Sequence, residues 1–384
     1  MGDITRRAWM EMAVAGAAAG VTGESKAAVP SPSDSLHVLS QAKGMMGFGS
    51  CVNAGMLTNP DYRDVLVREC NILVPENDLK WTVLRPNPDD FNFGRADMLV
   101  SWAERNGMKM RGHNLLWPRI GRNPKWLDDY DFGSRPATEA ERLLREHITT
   151  VCRRYGTRIF SWDVVNEAVN PRTGKVRDEM AIGKYLGGAM IDIAFDAAHQ
   201  AAPGAQLAYN DFVKWSADDA VQREGVLELL ARLKSSHAPI QLLGVESHIG
   251  TVGAGNNDNV MGTQTFDARE QASWKSFLDS VVAMGYRLAI TEFDVSEIGT
   301  PADIPTRDRG MADLTRRYLD AMLRYPELEY VMCWGLVDRF SWLQSRAPRA
   351  DGLPKRPAPY DGDYQPKLIR QAMADAFRAA PMRG

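Results

Sequence analysis

Two glutamates stand at the ends of otherwise apolar runs: Glu167 closes "WDVVNE" (162–167), and Glu292 follows Ile290-Thr291 in "ITEFDV" (290–295). A carboxylate leaving such a run is desolvated, so it must be hydrogen-bonded, paired with a cation or shifted toward its neutral form. Two such groups on opposite sides of one opening suit glycoside hydrolysis. One carboxyl protonates the leaving oxygen while the other attacks the sugar carbon or activates water there. Either glutamate alone reads equally well as part of a structural polar network. The ends of neighbouring apolar runs carry further groups of the same kind: Glu76-Asn77, His113, Asn166, Asn210-Asp211, Glu246 with His248, Asp294 and Trp334.

The elements that must position these groups alternate. Strand patterns are read over Gly47–Asn53, Asn71–Pro75, Met108–Trp117, Phe160–Asn166, Gln206–Asn210, Leu242–His248, Leu288–Phe293 and Tyr330–Leu336. Between them, apolar residues recur at three- and four-residue steps over Ala96–Asn106, Glu139–Tyr155, Ile182–Gln200, Ala217–Lys234, Glu270–Met284 and Asp308–Arg324. Strand and helix alternating without an internal linker predict an α/β fold, a single (β/α)8 TIM barrel. An open doubly wound sheet would carry a Gly-rich phosphate turn after its first strand, and no G-x-G-x-x-G follows Asn53. In a barrel, the C-terminal strand ends share one rim, where substrate is met.

Composition narrows the function classes. The chain has 384 residues, with 46 Lys+Arg against 49 Asp+Glu and a formal charge of −3. That balance excludes a nucleic-acid binder held by bulk charge. Cys51, Cys70, Cys152 and Cys333 form no Cys-x-x-Cys pair and read as small buried hydrophobes, with a Cys51–Cys333 bridge conceivable because a closed barrel makes their strands neighbours. Residues 1–30 differ from the rest. Arg6-Arg7, an uncharged stretch over Met12–Gly23 and small residues near Ala27-Ala28 resemble a twin-arginine export signal, too short to anchor in a membrane, with a flexible or amphipathic N-terminus as the alternative; the catalytic domain is then 31–384, exported to the periplasm or beyond.

Seven segments, "VPENDLKW" (74–81), "RGHNLLW" (111–117), "WDVVNEA" (162–168), "AYNDF" (208–212), "ITEFDV" (290–295), "CWGLVDRFSWL" (333–343) and "YDGDYQPK" (360–367), fall in order on successive strand ends. Together, from about Phe48 to about Ala372, they resemble glycoside hydrolase family 10, typified by endo-1,4-β-xylanases. The resemblance implies a retaining double displacement with Glu167 as acid/base and Glu292 as nucleophile. It further implies substrate contacts from Glu76, Asn77, Lys80, His113, Trp117, Asn166, Glu246, His248, Trp334 and Trp342, with Asp294 and His248 supporting the nucleophile. Trp81, Trp102 and Trp162 read instead as core. The expected ligand is a xylan-type polysaccharide or oligosaccharide taken by a monomer, with no metal, organic cofactor, nucleic acid or membrane.

Three departures from the family pattern stand out. Glu246-Ser247-His248 replaces the usual Gln-x-His, adding a third carboxylate that must be protonated or tied to a cation such as Lys80 or Arg119. The usual Trp-His-x-Gln-x-Pro-x-Trp is here Trp117-Pro118-Arg119-Ile120-Gly121-Arg122-Asn123-Pro124-Lys125-Trp126. Its Arg119 and Arg122 raise a preference for acid-decorated chains such as glucuronoxylan. A Gly/Asn-rich loop, Gly250–Gly262, follows strand six. Three rival readings stay open: a catalytically degraded carbohydrate-binding barrel, a family member shifted to exo-acting or acid-decorated substrate preference, and a metal-dependent hydrolase built on His113, Glu167, Asp211 and His248.

Overall fold

The apolar runs form parallel strands in a computed structural model that describes residues 30–216, 220–250, 261–263, 266–297 and 300–383. They are β1 (Gly47–Val52), β2 (Ile72–Pro75), β3 (Lys109–Leu116), β4 (Ile159–Asn166), β5 (Gln206–Asp211), β6 (Leu242–Val245), β7 (Arg287–Ser296) and β8 (Leu328–Cys333). Each pairs in parallel with the next, and β8 also pairs with β1, so the sheet closes into the expected (β/α)8 barrel. Closure gives every one of these strands two hydrogen-bonded neighbours and leaves no open edge in the ring.

Alternation along the strands separates two apolar layers. Cys51, Ile72, Val74, Ala208, Leu242, Ala289, Tyr330 and Met332 pack together inside the barrel. The opposite strand faces join the helices in a larger core that includes Trp81 and Trp162, with Trp102 packed against it, as read from sequence. Cys51 belongs to the inner layer and Cys333 to the outer one, and both are free thiols. The conceivable bridge is thereby ruled out: neighbouring strands bring the two backbones together, but the side chains point to opposite faces.

The helices that cover the barrel include Gly94–Arg105, Pro136–Tyr155, Ala189–Ala201, Ala220–Ser235, Ala268–Ala283, Ile304–Met322 and Leu368–Ala379. Their starts carry ordinary signals: Pro136 in the first turn, Asp267 accepting from Glu270 N at 3.0 Å and Asp303 accepting from Thr306 N at 2.9 Å. Two expectations are corrected. The periodic run Ile182–Gln200 is split into Gly183–Leu186 and Ala189–Ala201, because Gly187 takes φ +53° and ends the first helix. Strand six stops at Val245, since Ser247 is left-handed at φ +60°, and His248–Gly250 then runs beside the end of β7. The Gly/Asn-rich loop lies outside the described residues except at Gly250, Met261 and Gly262, as do residues 217–219 at the start of one predicted helix.

A charge pair lies inside the barrel beneath the rim. Arg111 on β3 donates through both terminal nitrogens to Asp163 on β4, one bond being 2.6 Å, while its Nε donates to Tyr330 Oη at 3.0 Å. Both partners are wholly buried. Close approach of β3 and β4 needs Gly112, where a Cβ would come within 2.1 Å of the Trp162 ring. Removing one member of a buried ion pair strands the other charge. Arg111→Met is therefore expected to lose about 3–5 kcal/mol of stability, and Arg111→Met with Asp163→Leu to recover part of it. Chemical denaturation followed by tryptophan fluorescence reads both, and an unchanged midpoint in the single variant would refute the account.

Candidate active site

The C-terminal ends of the strands surround a cleft of about 530 Å³. Glu76, Asn77 and Lys80 follow β2, His113 lies on β3 with Trp117 just beyond it, and Asn166 ends β4 with Glu167 directly after. Glu246 and His248 follow β6, Glu292 lies on β7, and Trp334 and Trp342 follow β8. All twelve line this cleft. Asp294 stands behind it, two residues beyond Glu292 and therefore on the same face of β7.

Glu292 is held from three sides. Asn210 Nδ2 donates to its Oε1 at 2.9 Å, His248 Nε2 lies 3.3 Å from Oε2, and His113 Nδ1 lies 3.8 Å from Oε1. Burial pushes this carboxyl upward, but His113, His248 and Lys80 outweigh burial and hold it below the usual glutamate range. His248 is the charge carrier. Burial opposes its protonation, yet Asp294 and Glu292 raise it to about 10. Its Nδ1 sits 3.1 Å from Asp294 Oδ1, a charge contact without hydrogen-bond alignment. Asp294 is fixed in turn by Trp342 Nε1, which donates to Oδ2 at 2.7 Å.

Glu246 takes the opposite course. Asn210 Nδ2 reaches its Oε1 at 3.3 Å, and no lysine or arginine among the described residues lies within ion-pair distance. Burial raises its pKa well above the glutamate range, and Glu292 and Glu167 add to the rise. Of the two outcomes read from sequence, Glu246 is not tied to Lys80 or Arg119, and burial beside Glu292 and Glu167 favours its protonated form. Lys80 donates instead to Asn77 Oδ1 at 3.0 Å and stands over the Trp117 and Trp334 rings, while Arg119 Nη1 bonds Glu167 Oε2 at 2.9 Å. Burial lowers the pKa of Lys80, with Glu292 and Glu76 opposing.

Asn210 had a place on the rim but no assigned role. In the structure its side chain joins four neighbours: Nδ2 lies within bonding distance of Asn166 Oδ1, Glu292 and Glu246, and Thr291 Oγ1 donates to its Oδ1 at 2.7 Å. Gly244 on β6 makes the room, since a Cβ there would stand 2.2 Å from Asn210 Oδ1. Glu167 has φ +49°, a left-handed geometry that is costly for a residue with a side chain and is concentrated at functional sites. Its backbone N–H is nevertheless bonded to Asn210 O at 2.8 Å.

The metal-binding rival does not match this arrangement. Asp211 is engaged by the Tyr209 hydroxyl and by Gln222 at 3.1 Å, and His113 by Asp163 at 2.9 Å. Among the described residues the one cluster with converging ligand atoms is Glu246, His248 and Glu292, within 4.8 Å of one another. No helix among the described residues is long and apolar enough to cross a membrane.

Both raised groups make stability pH-dependent with the same sign. A group whose pKa is higher folded than unfolded binds more protons in the native state, so stability falls as pH rises from the unfolded value toward the folded one. For Glu246 the fall starts above about 4.5, and for His248 it spans about 6.5 to about 10. Thermal unfolding measured across pH is expected to lose the upper slope in His248→Gln and to become shallower above pH 4.5 in Glu246→Gln. Wild-type and variant curves that stay parallel would contradict these protonation states.

The sequence model of Glycosyl hydrolase family 10 matches residues 35–376. A β-1,4-xylanase of Dictyoglomus thermophilum is 30% identical over 316 residues, covering 80% of this chain and 82% of that protein. Endo-1,4-beta-xylanase 3 of Hypocrea jecorina is 29% identical over 335 residues, covering 87% and 83%. The crystal structure of xylanase 10B from Thermotoga maritima superposes with a TM-score of 0.76 at 28% identity, covering 89% of this chain and 98% of that one. With a family match over nearly the whole described barrel, this chain belongs to glycosyl hydrolase family 10.

Proposed function

We propose that the protein is a retaining β-1,4-xylan hydrolase in which Glu292 is the nucleophile and Glu167 the acid/base. One observation carries this reading: Glu292 is buried yet held ionised between Asn210 and His248, in the same cleft as Glu167. A carboxylate kept charged without bulk water is ready to attack an electrophilic carbon. The relatives named as xylanases support the substrate, and those named endo-1,4-beta-xylanase support attack within the chain.

In the first step a Glu292 oxygen forms a bond to the anomeric carbon as the glycosidic bond breaks, and Glu167 gives its proton to the departing oxygen. In the second, Glu167 takes a proton from water, whose oxygen displaces Glu292, so the product keeps the original anomeric configuration. Asn166, fixed by Asn210 at 2.8 Å, is placed to bond a sugar hydroxyl beside the reacting carbon. Glu76 is anchored by Asn53 Nδ2 at 2.7 Å and offers acceptors to the glycone, while Trp117, Trp334 and Trp342 meet its apolar faces. A neutral Glu246 supplies a hydrogen-bonding group without a further negative charge beside Glu292.

Hydrolysis of xylan and aryl β-xylosides tests this. Wild type is expected to release β-configured sugars. Glu292→Ala is expected to lose at least about 10⁴-fold in kcat. Glu167→Ala is expected to lose about 10²–10⁴-fold, with a smaller loss on aryl xylosides whose leaving group needs no proton. Inverted product would sink the double displacement. No sugar released by wild type would favour the carbohydrate-binding barrel.

We also propose that residues 1–30 direct export through the twin-arginine route and that residues 31–384 then act as a monomer. Fractionation of cells producing the full chain is expected to find it outside the cytoplasm, with one subunit's mass by size-exclusion chromatography. Arg6→Lys with Arg7→Lys should retain it inside, and export of that variant would refute the signal.

A further inference from the structure

The arginines of the cleft have unequal employment. Arg119 is committed to Glu167 at 2.9 Å. Arg122 and Arg346 line the same cleft, yet among the described residues neither has a carboxylate partner within ion-pair distance. Arg122 is half-buried, its guanidinium stacked 4.6 Å from the centre of the Trp117 ring, and Arg346 is exposed at the end of the short helix Leu343–Arg346 that follows Trp342. The half-buried guanidinium of Arg122 loses hydration with no compensating anion, while that of Arg346 stays in water at the cleft's edge. Burial lowers the pKa of Arg122, and the like charges of Arg119 and Arg346 add to the fall, with Glu167 and Glu246 opposing it. The nearest acids are engaged by other cations: Arg119 bonds Glu167 at 2.9 Å, and His248 lies 3.3 Å from Glu292.

We propose that Arg122 and Arg346 form a binding site for a carboxylate carried by the substrate, the uronic acid branch of an acid-decorated xylan. The planar fork of a guanidinium matches a carboxylate through two parallel N–H bonds, and the stack on Trp117 holds one fork in place. The adjoining walls are indole rings, amides and carboxyls suited to neutral sugar, so the anion that fits is one attached to a sugar. The site read from sequence shifts accordingly: Arg119 leaves the pair and Arg346, distant in sequence, enters it.

This inference rests on the glycosidase reading, and the experiment separates the two. Three xylo-oligosaccharides of equal backbone are compared: one bare, one with a single glucuronic acid branch, and one whose branch carboxyl has been reduced to the alcohol. Hydrolysis by wild type, Arg122→Gln and Arg346→Gln is measured by kcat/KM, and binding by calorimetry in a Glu292→Ala background. Wild type is expected to favour the acidic branch over its reduced form by at least about tenfold, the scale of one charge-assisted bond, in both assays. The preference should shrink in each arginine variant and in high salt. Equal treatment of acidic and reduced branches by a wild type that cleaves the bare backbone would overturn the uronate site and leave the glycosidase standing. Failure to cleave or bind any of the three would overturn both.

Discussion

Desolvated carboxylates in one confined volume are the constraint to which the rest of the barrel answers. Asp163, Asp211, Glu167, Glu246, Glu292 and Asp294 are all buried at or just beneath one rim. Left ionised together they would repel strongly in surroundings that screen poorly. The structure resolves this by giving each a different fate. Asp163 receives a guanidinium, Glu292 and Asp294 share the His248 ring, Glu167 receives Arg119, and Glu246, without a cation, is pushed toward its protonated form by burial. Asp211 accepts the hydroxyl of Tyr209 and is pushed up to about 7 by burial.

That division makes the site's chemistry and its architecture one problem. The Arg111–Asp163 pair fixes His113 from below, and His113 touches both Asp163 and the neighbourhood of Glu292. On the other side, Trp342 orients Asp294, which charges His248, which stabilises the Glu292 anion. Asn210 joins the two halves, because one side-chain amide contacts groups from β4, the segment after β6 and β7. A network in which each member satisfies the next is rigid, and rigidity at the rim is what positions an attacking carboxylate.

Legibility in the sequence varied by residue for physical reasons. Glu167, Glu292 and the other cleft-lining groups were readable because each interrupts an apolar run, and a barrel converts run ends into neighbours. The role of Asn210 was not readable, since it depends on acceptors from three separate elements converging on one amide. Arg111 and Asp163 both lay inside recognised motifs, but their pairing follows from the β3–β4 register, in which Arg111 stands opposite Ser161 and His113 opposite Asp163. Arg346 carried no local signal at all; it sits beyond Trp342 in a single helical turn and matters only because that turn borders the cleft. The Gly187-Gly188 pair, by contrast, was a visible break that the longer helical periodicity overrode.

The sequence by itself determined the alternation of strands and helices, the number of barrel strands and the chemical groups at their ends, because periodicity and composition are local properties of the chain. Tertiary structure decided everything that depends on distance between carboxylates and cations. Whether Glu246 met a cation or kept its proton, whether Cys51 could reach Cys333 and which arginines remained without an acid are questions of which side chains face one volume. Charge interaction and desolvation act through space, and only closure of the barrel sets those separations.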